Sequence, residues 1–386
     1  MNEVSDNGVD PSAGLLPAGL RDVLPPRAEV EAQVTERLMA VFAGHGYRRI
    51  KPPLVEYEDT LLAGSGQALA GQMFRFMDTA SHRMLGVRPD ITLQAARIAA
   101  TRLAHDPRPL RLCYAGQVLR TRGSQLRPER QFAQAGFELI GSAAPAADQE
   151  VAILAAEAVL ALGVAGLSMD VTNPLLVPAL CEGLGLDAAV AKAARLALDH
   201  KDAAALHDAV GPGKAADTLA ALIDIGPAAQ VFARLAKLDL PRAAAAMVAQ
   251  LRALCDGLKL ALPDLPVTLD LGEFRGLEYH SGVSFTLFAR GVRGELGRGG
   301  RYMAGANEPA TGCTLYLDSL MRALPASPPE RRLFLPFGTP HVEARRWRSE
   351  GWSVVRGLEP VADATAEAKR LGCSHQLAGN QPRALA

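Results

Sequence analysis

A chain of 386 residues is long enough for two or three domains and for a core that stands without disulfide or metal staples, so a single small module is excluded. Its 41 basic and 41 acidic side chains cancel, which leaves no global field to draw it to nucleic acid or to an anionic membrane; any anion binding must be local. The five cysteines, Cys113, Cys181, Cys255, Cys313 and Cys373, are scattered, odd in number and never in a CxxC pair, which argues against a zinc site or a disulfide framework and fits a reducing cytoplasm.

The polar stretch 1–14 reads as a flexible terminus, and no later stretch approaches the roughly 18 apolar residues of a membrane span, so a soluble, unprocessed, cytoplasmic chain is expected. After Pro25-Pro26, Val30, Val34, Leu38, Val41 and Phe42 recur at helical spacing until Gly44 stops the run. Ile50, Leu54 and Val55 suggest a strand that Pro52 and Pro53 confine to an edge or interface. Met73 to Val87 alternates around a polar turn at Thr79 to Ser81 and predicts a hairpin. "TLQAARIAATRLA" predicts a helix, and Leu110 to Leu119 and Gln131 to Ile140 predict two antiparallel strands joined through Thr121 to Arg130. A further amphipathic helix, "AADQEVAILAAEAVLALG", and a strand, "LSMDVTN", follow.

From about Pro174 to Leu262 the texture turns Ala- and Leu-rich without strand signal and predicts a helical insert. Strand texture returns at "VTLDLG", "VSFTLFA" and "GELGRGGRY", the last with a glycine-rich turn, before a last helix, "LYLDSLMRAL". "PASPPE" marks a boundary, beyond which strand, helix, strand, helix and a final short strand make only a partial α/β segment, 325–386. The expected class is therefore α+β: an antiparallel sheet flanked by helices over 15–324, with the helical insert at about 174–262.

The chemistry gathers around "QVLRTRGSQLRPERQFAQAGFELIG". Arg120 closes the first strand, where its planar fork suits a carboxylate or phosphate. On the returning strand Phe132, Gln134, Gly136 and Glu138 share one face: ring, amide, carboxylate. Arg122, Arg127 and Arg130 have the ordinary reading of a solvated turn. Glu138 does not, because a carboxylate between Phe137 and Leu139 facing a sheet interior requires a donor. "GVRPDIT" sets Arg88, Asp90 and Thr92 before a helix; Asp90 could cap that helix or accept from a ligand ammonium. "FRGLEYHSG" clusters Arg275, Tyr279 and His280 beside glycines, a grouping that suits a binding pocket more than a lone structural histidine does.

The order of "MFRFMD", "RMLGVRPDIT", the arginine turn, "FRGLEYHSG", "GRGGRY" and "GCTLYLDSL" resembles the catalytic domain of histidyl-tRNA synthetase, a class II aminoacyl-tRNA synthetase. It is still more similar to that family's truncated paralogues, the regulatory subunits of ATP phosphoribosyltransferase, and the likeness runs from Leu15 to Leu324. The resemblance implies a histidine-binding site with Arg120 toward the carboxylate, Asp90, Thr92 and Gln134 toward the ammonium, Glu138 in the amino-acid pocket, and Arg275, Tyr279 and His280 in the element that reads the imidazole. It also places Phe132 under an adenine ring.

Departures from the synthetase pattern qualify this. Arg122 stands where the synthetase has a glutamate, Ser319 where it has an ATP-clamping arginine, and Asp90, Glu278 and His280 replace Glu, Asp and Tyr. A hydroxyl cannot replace a guanidinium that stabilises a transferring phosphate, so amino-acid activation is expected to be absent and no catalytic residue, cofactor or metal is assigned. The partial tail, without a basic patch, implies no tRNA recognition. The expected role is a noncatalytic regulatory subunit: a dimeric core assembled with short-form catalytic subunits, as a hetero-octamer, with histidine as regulatory ligand. A divergent synthetase and a free-standing histidine sensor are the alternatives.

Overall fold

The computed structural model describes residues 14–63, 69–123, 127–273, 279–305, 307–325 and 330–385. The chain divides into two compact units, Met1–Pro325 and Ala326–Ala386. In the first, α1 (Arg27–Gly44), β1 (Arg48–Arg49), β2 (Val55–Tyr57), α2 (Glu58–Leu61), β3 (Arg75–Met77), β4 (Met84–Val87) and α3 (Thr92–Thr101) precede a long hairpin of β5 (Leu110–Leu119) and β6 (Gln131–Ile140). Next come α4 (Pro145–Ala161), β7 (Leu167–Thr172), α5 (Leu176–Gly183), α6 (Ala188–Asp199), α7 (Ala203–Val210), α8 (Lys214–Ala220), β8 (Gly226–Pro227), α9 (Ala228–Leu235) and α10 (Arg242–Ala261). β9 (Val267–Leu269), β10 (His280–Ala289), β11 (Gly297–Ala304), β12 (Glu308–Tyr316) and α11 (Leu317–Ala323) complete it.

Among the described residues these strands form a nine-stranded sheet of order β1-β5-β6-β12-β11-β10-β7-β9-β8, antiparallel except where β1 meets β5 and β7 meets β9. A separate three-stranded sheet, β2-β4-β3, contains the predicted hairpin. The period of two along each strand sorts the large sheet into two faces. On one, Phe137 and Leu139 of β6 pack beneath α1 and α4, and Phe137 meets the rings of Phe42 at 4.7 Å and Tyr47 at 5.3 Å. The stripe Val34, Leu38 and Phe42, four residues apart, is why α1 lies flat there; each side chain so buried contributes roughly 1.5–3 kcal/mol.

The other face carries the chemistry. β6 offers Phe132, Gln134, Gly136 and Glu138; opposite Gly136 stands Tyr114 of β5, and opposite Glu138 stands Gly312 of β12. One strand further, Arg298, Gly300 and Tyr302 of β11 continue the row. A sheet covered on both faces explains why β6 is buried almost end to end.

Four expectations need correction. The strand around Pro52-Pro53 is two short pieces in different sheets, because neither proline can donate to a ladder. The last helix begins at Leu317, and Glu308–Tyr316 before it is a central strand, β12. The glycine-rich turn of "GELGRGGRY" lies within β11, whose glycines give room to neighbours: a Cβ on Gly300 would come 2.7 Å from the His280 ring. The helical insert contains a two-residue strand, β8, antiparallel to β9.

In the second unit β13 (Arg332–Leu335), α12 (His341–Ser349), β14 (Ser353–Arg356), α13 (Ala364–Arg370), β15 (His375–Ala378) and β16 (Gln381–Ala384) make a sheet of order β14-β13-β15-β16. The expected single closing strand is thus a hairpin of two. β13 is central and parallel to both neighbours, with Leu333 and Leu335 buried against Ala344. The chain's two tryptophans, Trp347 and Trp352, complete that cluster.

All five cysteines are buried and free. Among the described residues no helix is long and apolar enough to cross a membrane.

Candidate functional site

Glu138 is the centre of the chemical face. It is 1% exposed, and the donors its position demanded are two phenols: Tyr114 OH lies 2.8 Å from Oε1 and Tyr302 OH 2.9 Å from Oε2. Burial pushes its carboxyl up to about 8, the two phenols and Thr92 pull it down, and the Asp90 charge adds to the rise. Burial likewise drives the Tyr114 and Tyr302 hydroxyls well above their ordinary range, so both stay neutral donors.

Both oxygens of Asp90 have local partners. Oδ1 accepts from the Thr92 backbone N–H at 2.8 Å at the start of α3, and Oδ2 accepts from Gln134 Nε2 at 3.0 Å. Gln134 is fully buried, and its Oε1 has no hydrogen-bond partner. A buried acceptor left open beside a carboxylate is a site for a ligand's donor, such as an ammonium. The Thr92 hydroxyl lies 2.9 Å from Tyr114 OH, which ties the helix start to the Glu138 network. Arg88 is structural: its guanidinium donates to the carbonyls of Gln117 and Pro52 and to Gln94 Oε1.

A small, half-open cleft lies over this network. Thr92, Glu138, Tyr279 and His280 line it, together with Arg298, Tyr302 and Thr314. His280 is buried at the start of β10, while Tyr279 is exposed, its ring 4.0 Å from the imidazole. Arg275 lies outside the described residues. Arg120 is not in the cleft lining: its Nε donates to the Pro89 carbonyl at 3.2 Å, and its guanidinium stands 5.1 Å over the Phe132 ring. Tyr114, Tyr302, Thr314 and Arg298 escaped the sequence reading; their only signal was a place on alternate positions of strands whose pairing the sequence does not state.

Arg127 overturns its solvated-turn reading. It is 9% exposed, its guanidinium 3.7 Å over the Tyr316 ring and 5.0 Å over Phe132, with Nε 3.4 Å from the buried Asp318 carboxylate. Aromatic faces and a buried counter-charge hold a loop arginine that water would otherwise claim. Ser319 is buried, and its hydroxyl accepts from Arg322 at 2.9 Å, while Arg322 also reaches Asp318. Arg122 is exposed, as expected of a turn.

Glycines make the room for Glu138. A Cβ on Gly136 would come within 2.6 Å of the Tyr114 ring, and one on Gly312 would overlap the Glu138 carboxylate, with Cδ at 2.5 Å. Gly312→Ala is therefore expected to displace that carboxylate and to lower stability by about 1–3 kcal/mol, read by urea unfolding. Histidine binding by calorimetry should fall in the same variant. A variant as stable and as tight-binding as the parent would show that the carboxylate is free to move.

Residues 19–320 match the family described as histidyl-tRNA synthetase. The chain is 54% identical over 380 residues to the ATP phosphoribosyltransferase regulatory subunit of Rhodospirillum centenum, covering 98% of each chain. It is 55% identical over 364 residues to that of Paramagnetospirillum magneticum, covering 94% of this chain and 96% of the relative. Among solved structures, an ATP phosphoribosyltransferase regulatory subunit/histidyl-tRNA synthetase from Bacillus halodurans superposes with a TM-score of 0.80 at 26% identity, over 94% of this chain and 97% of that one. With identity above one half along nearly the whole length, and with a synthetase-like sheet beneath its cleft, the chain belongs to the ATP phosphoribosyltransferase regulatory subunit family.

Proposed function

We propose that this chain is the noncatalytic regulatory subunit of an ATP phosphoribosyltransferase, needed for the first step of histidine biosynthesis, and that it receives free histidine in the cleft over Glu138. The observation that carries the ligand reading is the fully buried carboxylate held between Tyr114 and Tyr302, with the open acceptor Gln134 Oε1 two alternations away on the same face of β6. An imidazole N–H meets Glu138, and the α-ammonium meets Asp90 and Gln134. The carboxylate turns to Arg120 or to Arg298, which lines the cleft and also pairs with Glu295. Thr92 stands beside the ammonium, and Tyr279 and His280 border the bound ring in this reading.

No bond is made in the cleft. Ser319, at the place of a phosphate-clamping arginine, offers a neutral hydroxyl already bonded to Arg322. Transfer chemistry belongs to the catalytic subunit, which the names of the relatives imply as partner. Two copies of this chain form the core of a hetero-octamer with that subunit, and tRNA is not a partner: a formal net charge of zero gives it no electrostatic footprint. Feedback follows if histidine binds one arrangement of the complex better than the other; a coupling of about 1–3 kcal/mol is typical.

The test is calorimetric titration of histidine into the isolated chain and into the complex with its short-form catalytic subunit. Saturable binding to both is expected, with an affinity difference equal to the coupling. ATP–pyrophosphate exchange dependent on histidine should be absent, and robust exchange by the purified chain would replace this reading with that of an active synthetase.

A further inference from the structure

Glu138, the phenols around it and nearby Asp90 suit an imidazole and an ammonium, but a free amino acid brings an anion as well. Among the described residues that line the cleft, Arg298 is the one guanidinium, and no lysine stands there. The strand register explains how it arrives. Arg298 of β11 stands opposite Thr314 of β12, which in turn stands opposite Gly136 of β6. Paired positions share a face, so the guanidinium lies on the chemical side of the sheet, one alternation along from the row of Glu138, Gly312 and Gly300. Arg120, by contrast, lies outside the cleft lining, with its guanidinium over Phe132 and its Nε on the Pro89 carbonyl beside Asp90.

We infer that Arg298 is the specificity-determining residue that receives the α-carboxylate, so that the cleft selects a free amino acid over amines and alcohols that carry the same imidazole ring. The inference deepens the histidine reading and rests on it. With the ring at Glu138 and the ammonium at Asp90 and Gln134 Oε1, the carboxylate crosses β12 toward β11. Each ligand charge then meets its opposite: the ammonium meets Asp90, and the carboxylate meets Arg298. Arg298 already holds Glu295 at 2.9 Å, three residues back in the chain, and taken alone that pair is an ordinary brace on the turn before β11. A guanidinium has five N–H donors, however, and serves two carboxylates together. Glu295 keeps 24% of its side chain exposed, so water takes up what the ligand draws away. An imidazole amine without the carboxylate leaves the guanidinium to its internal partner and gains nothing from it.

The experiment titrates three probes into the full chain by calorimetry, with melting curves recorded for each protein: L-histidine, L-histidinol, in which a neutral alcohol replaces the carboxylate, and histamine, which lacks it. The wild type should bind histidine about tenfold or more tightly than either analogue, the scale of one hydrogen-bonded charge. Arg298→Ala should lose about tenfold for histidine and stay within about threefold for histamine, so that the preference collapses. A role confined to bracing the turn would lower all three ligands alike. Arg120→Ala should do just that, through Pro89 and Asp90, and leave the preference standing. Arg298→Gln keeps a long polar side chain without the charge; it should behave as Arg298→Ala does, and it decides should the alanine chain fail to fold. A preference that survives in a folded Arg298 variant, or that vanishes in Arg120→Ala, overturns the inference, as does a wild type that binds the three probes equally. Absence of histidine binding by the wild type strikes the proposed function and the inference with it, whereas binding with a preference independent of Arg298 strikes the inference alone.

Discussion

Raising the pH from 5 to 8 is expected to lower the stability of the folded chain by about 4 kcal/mol through Glu138 alone. The sign follows from which state ionises first. In the unfolded chain this carboxyl titrates near 4.5, whereas burial lifts it to about 8 in the fold. Between those values the unfolded state has lost a proton that the folded state still holds, so each pH unit favours unfolding. The contribution is fully present below 4.5 and is lost as pH rises toward 8. Asp148, Asp170 and Glu273 are also raised by burial and tilt the total slope the same way. The measurement is therefore a difference: urea unfolding by far-ultraviolet dichroism across this range for wild type and Glu138→Gln. The amide keeps the volume, accepts from one phenol through its oxygen and donates to the other through its NH2, and cannot ionise, so it should remove most of the Glu138 slope. Parallel slopes in the two proteins would show that the carboxyl ionises in the fold as it does in water.

The second large effect concerns the ligand. Glu138→Ala should weaken histidine binding about 100-fold, the loss of a buried hydrogen bond together with the stranding of two buried phenols. Glu138→Gln should lose less, since an amide oxygen still accepts. Arg120→Ala should cost about tenfold, because its guanidinium lies over Phe132 and outside the cleft lining. Calorimetry reads the affinities, and sedimentation velocity should find assembly with the catalytic subunit intact in all three. Unchanged affinity in both alanine variants would move the regulatory site to another surface.

The β5–β6 hairpin was legible to the residue, since ten-residue runs of apolar alternation flank a polar turn and nothing competes with that period. β12 was not, because "EPATGCTLY" has Pro309 as its second residue, carries Gly312, and runs into Leu317 and Leu320, whose helical spacing suggests that the helix starts earlier. The need of Glu138 for a donor could be argued from Phe137 and Leu139. The identity of the donors could not, because Tyr302 arrives from a strand 164 residues away, and the pairing that brings it is a property of the whole sheet. Arg127 misled for a related reason: a charged loop is solvated unless tertiary structure supplies rings and a counter-ion, and Tyr316 and Asp318 come from the far side of the domain sequence.

The confinement of Trp347 and Trp352 to the Ala326–Ala386 unit makes that unit its own spectroscopic reporter. Excited at the red edge, where tyrosine does not absorb, the chain emits only from there, while the cleft over Glu138 is lined by Tyr279 and Tyr302 in Met1–Pro325. A shift in emission on adding histidine would thus be a response of the second unit, which contributes no residue to the cleft over Glu138. Its dose dependence could be followed without any label.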